Sequence, residues 1–231
     1  MRVKILTTIP EVFPGLLGVS LIGKAREKGI WSLEIIDIKD FALNKHRKID
    51  DEPFGGGNGM LMLPEILARA LDYAKKDMIS PEIFYLSPRG KRLTQSFSKE
   101  ISAIEEIIFI CARFEGVDER VIEEYNARLI SIGDYVLSGG EIAAMVVLES
   151  SLRLVPGVLA NESTLSEESF NYVKNYGNLL EYPQYTRPAD WRGRKVPEIL
   201  LSGNHKLIEK WRLEKSLEIT ERLRPDLLEK N

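Results

Sequence analysis

The sequence predicts an α/β fold, a mostly parallel sheet with helices on both faces, followed by a small helical C-terminal domain. Three observations lead there. Short apolar runs rich in β-branched residues alternate with segments of helical period, the signature of strand-helix-strand units. The 231 residues are 44% apolar and 29% charged, enough for one large core and a small second one. After Pro156-Gly157 the chain turns polar and acidic, and the alternation stops.

Taken in order, Val3 to Ile9, Leu33 to Ile38, Ile83 to Leu86, Ile107 to Cys111 and Leu129 to Ile132 read as strands. Between them, Val19 to Lys28, Pro64 to Lys76, Thr94 to Ser102, Glu119 to Tyr125 and Glu141 to Leu154 read as helices, with Pro64 suited to a first turn. Strand and helix in alternation imply parallel pairing, with ligands at the carboxyl ends of the strands. The loop Asp40 to Met60 is polar, then glycine-rich, and too long for a simple connector, which marks it as functional. Asn161 to Ser169 reads as a linker. Beyond it Leu207, Ile208, Trp211 and Leu217 mark an amphipathic helix to about Leu223, in a segment too short to hold much core.

No apolar run approaches the roughly 18 residues of a spanning helix, and Met1 leads into a strand without a secretory segment, so a cytoplasmic protein is expected. Cys111 is the only cysteine. It lies inside Ile107 to Ala112, where a buried small hydrophobe fits better than a nucleophile. The net charge of −3 argues against a nucleic-acid coat on every side, but from Arg187 to Arg224 ten Lys/Arg face six Asp/Glu. Arg187, Arg192, Arg194 and Lys195 cluster around Trp191, which suits a polyanion that also offers bases to stack on.

Three loops end three expected strands: Tyr85 to Gly90, Ala112 to Gly116, and Ile132 to Glu141. They can form one pocket for a small ligand, the third supplying glycines for close backbone approach beside Asp134 and Tyr135. Ser138 and Glu141 also read as an S-x-x-E capping box for the following helix. Two further glycine signals are weak. Gly18 to Lys24 fits G-x-x-x-x-G-K, yet Ala25 stands where a phosphate loop needs a hydroxyl, and no strand precedes it directly. Gly55 to Gly59 lacks the third glycine of a dinucleotide fingerprint, Met62 occupying its place.

Asp50 to Met60, Tyr85 to Pro88, Arg113 to Arg120, Ile132 to Glu141 and Leu200 to His205, in that order, closely resemble the bacterial tRNA (guanine-N1)-methyltransferase family, TrmD, of the SPOUT superfamily. The resemblance runs over nearly the whole chain. It implies a deep trefoil knot in the sheet, a homodimer, and S-adenosylmethionine as cofactor. That cofactor would bind Tyr85, Leu86, Ser87 and Pro88, then Ala112, Arg113, Phe114 and Glu115, then Ile132, Gly133, Asp134, Tyr135, Val136, Leu137, Gly139 and Gly140. It also implies three regions: a methyltransferase domain over 1–160, a flexible linker over 161–175, and a tRNA-binding domain over 176–231. Mg²⁺ is left open, and no metal ligands are assigned. The substrate implied is the guanine 3′-adjacent to the anticodon, position 37, within the anticodon stem-loop.

Guanine N1 carries a proton and is a poor nucleophile, so its methylation needs a base for that proton and a cation for charge growing on O6. By resemblance these are Glu168 and Arg153. Glu168 stands where the family has Asp, Ala112 where it usually has Gly, Phe114 where it often has Tyr, and Asn58 where it often has Pro. Glu167 is the neighbouring carboxylate that could substitute. Arg187, Trp191, Arg192, Arg194, Lys195, Lys206, Lys210 and Arg212 are the candidate RNA contacts. Competing readings are a catalytically impaired RNA-binding module of the same fold, motivated by Glu168 and Ala112, and a nucleotide hydrolase using Gly18 to Lys24.

Overall fold

A computed structural model of the chain describes residues 1–159, 165, 167–173 and 177–228. The chain divides into two compact units, Met1–Ala160 and Asn161–Asn231.

In the first unit, β1 (Arg2–Thr7), β2 (Ser32–Asp37), β5 (Glu82–Arg92), β6 (Glu106–Ile110) and β7 (Arg128–Ser131) form one five-stranded sheet in the order β2-β1-β6-β5-β7. Every neighbouring pair is parallel. A two-residue pair, β3 (Asp50–Asp51) with β4 (Leu61–Met62), closes the long loop. The helices are α1 (Ser20–Glu27), α2 (Pro64–Lys75), α3 (Gln95–Ser102), α4 (Glu119–Glu124) and α5 (Glu141–Leu152). All five expected strands and all five expected helices form.

β6 shows why its run is apolar at every position. Ile107, Phe109 and Cys111 enter a core shared with α1, α3 and α5, while Ile108 and Ile110 enter a second core shared with α2 and α4. A central parallel strand is buried on both faces, so it cannot alternate with polar residues. α2 sends Ile66, Leu67, Ala70, Leu71 and Ala74 inward along one stripe. The Thr94 hydroxyl accepts from Phe97 N at 3.2 Å to start α3, and the Asp118 carboxylate accepts from Arg120 N at 3.0 Å to start α4.

β5 runs further than its apolar core predicts. Leu86 pairs with Ile130, and so does Lys91, so residues 87–90 bulge out between two contacts with one position of β7. Gly90 allows this, because a Cβ there would collide with the backbone of Leu129 and Ile130. The G-x-x-x-x-G-K match is also explained without a phosphate. Gly23 lies inside α1 with its Cα against the Gly18 carbonyl, so these glycines serve packing.

In the second unit, residues 161–164, 166, 174 and 175 of the expected linker lie outside the described residues. Asn171–Val173 (β8) pairs antiparallel with Gly177–Leu179 (β9), so part of that linker is a hairpin. A second hairpin joins β10 (Asp190–Trp191) to β11 (Arg194–Lys195). Its two turn residues, Arg192 and Gly193, both have positive φ, the two-residue turn that matches strand twist. α7 (His205–Leu223) is the expected helix, and a short α6 (Glu198–Leu201) that the sequence did not announce precedes it. Leu179, Ser216 and Thr220 are buried in this unit, in keeping with its small core.

Candidate cofactor site and catalytic residues

The carboxyl ends of β5, β6 and β7 meet at a cavity of about 530 Å³. Of the sixteen residues expected to hold a cofactor, fifteen line it; Asp134 is exposed and does not. The cavity also takes in Leu61, Arg89, Gly116, Val117, Glu119, Ile130, Ser131, Ser138 and Ala143, which were not among the expected cofactor contacts. Arg89 and Glu119 pair across it at 2.7 Å. Leu61 arrives because the glycine-rich loop is sewn onto the wall: Glu115 N donates to Met60 O at 2.9 Å, and Met62 N to Gly116 O at 3.1 Å.

Gly140 forms the floor. Its N-H donates to Ala112 O at 3.1 Å, and an added Cβ would stand 2.9 Å from Cys111 Cα and 3.2 Å from Leu86 Cβ. The ends of β5 and β6 converge here, so a side chain has no room. The extra methyl of Ala112, only 8% exposed, is accommodated at the cavity edge. Tyr85 stands in the wall with its hydroxyl near Gly116. Burial pushes its pKa up, partly opposed by Arg89.

The S-x-x-E capping box does not form. The N-cap of α5 is Gly140, with no side-chain cap, and Glu141 turns inward instead. Its Oε1 accepts from Thr7 Oγ1 at 2.8 Å, and its Oε2 lies 3.8 Å from Arg113 Nη1. A carboxylate in the first turn is favoured by the helix dipole, and the floor geometry starts the helix two residues later than the motif requires. Ser138 is left to line the cavity. Burial, and then the nearby Glu141 charge, push the Cys111 thiol well up, so it stays a neutral core residue.

Residues 1–230 match the family described as tRNA (Guanine-1)-methyltransferase TrmD. The chain belongs to the TrmD family. Proteins named tRNA (guanine-N(1)-)-methyltransferase from Rickettsia akari (strain Hartford) and Rickettsia prowazekii (strain Madrid E) are each 52% identical to it over 228 residues, covering 99% of this chain and 97% of theirs. The protein of that name from Anaplasma marginale (strain St. Maries) is 50% identical over 228 residues, 99% of this chain and 94% of its own.

The residues assigned catalytic roles by likeness to TrmD are not in the cavity wall. Arg153 is the C-cap of α5, whose other end is the cavity floor. Glu168 lines a smaller cleft of about 200 Å³ within the second unit, with Leu179, Tyr182, Arg212 and Ser216. Of the basic candidates, Trp191 is 55% exposed at the hairpin and the Arg192 guanidinium lies 5.0 Å from its ring centroid. Arg187, Arg194, Lys195 and Lys206 are exposed, and Lys210 pairs with Glu214 at 3.7 Å. Arg212 pairs with Glu167 at 3.2 Å. Among the described residues no helix is long and apolar enough to cross a membrane, and no group of three or more His, Cys, Asp or Glu could hold a metal ion.

Proposed function

We propose that this chain methylates N1 of guanine 37, next to the anticodon of tRNA, with S-adenosylmethionine as methyl donor. The observation that carries the reading is the cavity at three strand ends in a chain of the TrmD family. Its size suits a nucleoside-sized ligand, within the roughly 300–1,000 Å³ of ordinary small-molecule sites. Leu86, Pro88, Ile132 and Leu137 offer apolar walls, and Ser87 and Ser138 offer polar groups. Bound there, the cofactor supplies an electrophilic methyl group. Glu168 takes the N1 proton, and the Arg153 guanidinium holds the charge that moves to O6. Trp191, Arg192, Arg194 and Lys195 stack on and neutralise the RNA. The protein works in the cytoplasm, where its RNA substrate is.

Arg153 favours a homodimer. It stands thirteen residues beyond Gly140, about 20 Å along the helix, farther than its side chain reaches back to its own cavity. α5 carries apolar residues beyond its buried stripe, leaving Ile142 60% and Val146 42% exposed, with Leu16 77% exposed on the adjoining 3-10 turn. A helix of that kind belongs in an interface. In this reading a second copy covers α5 and brings its own Arg153 to the cavity. The trefoil knot enters this reading on the strength of the family alone.

The test is incubation with unmodified tRNA and S-adenosylmethionine, with 1-methylguanosine measured by mass spectrometry. Cofactor binding without product would favour an RNA-binding module that has lost catalysis. Mixing Arg153→Ala with a cavity-blocked Pro88→Trp variant tests the dimer. Exchange should restore about a quarter of wild-type activity, since only mixed dimers own one intact site; no recovery would return Arg153 to a role within one copy.

A further inference from the structure

Glu168 is bracketed by two residues that the second unit holds in place. On one side, both donors in reach converge on Glu167 Oε2: the Tyr182 hydroxyl at 2.6 Å and Arg212 Nη1 at 3.2 Å. The Arg212 guanidinium also lies 4.6 Å from the Tyr182 ring centroid, so the three side chains form a closed cluster. On the other side, Ser169 Oγ accepts from Glu181 N at 3.0 Å, and Phe170 N donates to Leu179 O at 2.7 Å. α7 supplies Arg212, and the stretch after β9 supplies Tyr182 and Glu181.

We infer that Arg212 and Tyr182 are positioning residues, which hold Glu167 so that the neighbouring Glu168 carboxylate stands where the reaction needs it. This rests on the reading of Glu168 as the general base. It gives the two adjacent carboxylates different work. Glu167 is occupied by a hydroxyl and a guanidinium and is an anchor, not a substitute base. It also removes Arg212 from the RNA-contacting cations, since its charge is spent on Glu167. The longer reach of Glu relative to Asp makes such anchoring matter more, because displacement of a catalytic group by about 1 Å can lower the rate by about a hundredfold.

The full-length protein is assayed as wild type, Tyr182→Phe, Arg212→Lys, Arg212→Ala and Glu168→Gln, each with unmodified tRNA and S-adenosylmethionine. Tyr182→Phe keeps the ring and deletes one hydrogen bond, so it remains informative if Arg212→Ala does not fold. The expected result is a kcat about tenfold lower for Tyr182→Phe and up to about a hundredfold lower for Arg212→Ala, with Arg212→Lys between them. The KM for tRNA and the affinity for S-adenosylmethionine should stay within about twofold of wild type. Wild-type kcat in Tyr182→Phe and Arg212→Lys would overturn the inference, as would a raised KM for tRNA at unchanged kcat, which would make Arg212 an RNA contact. Wild-type protein that makes no 1-methylguanosine, or an active Glu168→Gln, would instead sink the underlying assignment and the inference with it.

Discussion

The hydroxyl of Thr7 donates to the carboxylate of Glu141 at 2.8 Å, joining the last residue of β1 to the first turn of α5 across 134 positions of sequence. Both residues are buried. The bond ties the sheet to the helix whose start forms the cavity floor, so it links stability to the binding site. Thr7→Val deletes the donor and keeps the shape. It should lower unfolding free energy by about 1–3 kcal/mol in chemical denaturation, because it takes the hydroxyl from the buried Glu141 carboxylate and the acceptor from Ile9 N. Ser138→Ala, by contrast, should change stability by no more than about 0.5 kcal/mol, because no capping box exists to lose.

Gly140→Ala forces a methyl group against the backbone of Cys111 and the side chain of Leu86. Neither can yield without moving a strand end. A stability loss of about 1–3 kcal/mol is expected. Titration calorimetry should register at least about a tenfold loss of S-adenosylmethionine affinity, since the floor of the cavity shifts.

The β10–β11 hairpin presents an aromatic ring and cations with little core behind it. Trp191→Ala should weaken tRNA binding by about 1–3 kcal/mol, the worth of one stacked base. Arg194→Ala and Lys195→Ala should each reduce the slope of log affinity against log salt by about one. Fluorescence titrations at several salt concentrations separate the two kinds of loss.

Stability should depend on pH through Lys4, which is 3% exposed and bonded to Asp77 and Glu34. Burial alone would lower its pKa, but the hydrogen bonds to Asp77 and Glu34 outweigh it and raise the value above 10.5. Asp77 is held below 3.8, chiefly by the Lys4 hydrogen bond and further by Arg2. The lysine's contribution is therefore complete below 10.5 and lost as pH climbs through its raised folded value. The aspartate's is complete above 3.8 and lost as pH falls through its depressed one. Denaturation midpoints should be level between about pH 5 and about pH 9 and fall beyond both limits. Asp77→Asn should make the acid fall shallower. It should not abolish it, because Glu106 and Asp118 are also held low, by the Ser80 backbone and by Arg120 respectively.

Much of this molecule was legible in the chain because its elements are specified locally. The run Ile107 to Cys111 reads as a strand and Pro64 to Lys76 as a helix, and both form, the strand buried on both faces and the helix packed on the sheet. The loops of the cavity were legible for the same reason, each being the stretch after a strand. Glu141 was misread because its partners are distant. An S-x-x-E spacing describes a local cap, whereas Thr7 and Arg113 reach this carboxylate only after the sheet is assembled. The pairing of Arg212 with Glu167 was not legible either: on a helix of mixed charge nothing local shows which carboxylate a cation will meet.

By itself, then, the sequence determined the α/β architecture, the three cavity loops and the family, since periodicity, turn residues and ordered motifs are properties of short segments. The tertiary structure decided that Leu86 and Lys91 share Ile130, that Gly140 closes the floor, and that Arg153 lies a helix length from the cavity. It also decided that Glu167 rather than Glu168 takes the Tyr182 and Arg212 donors. Each of these depends on which distant backbone stands opposite a given residue, and a chain acquires that relation only by folding.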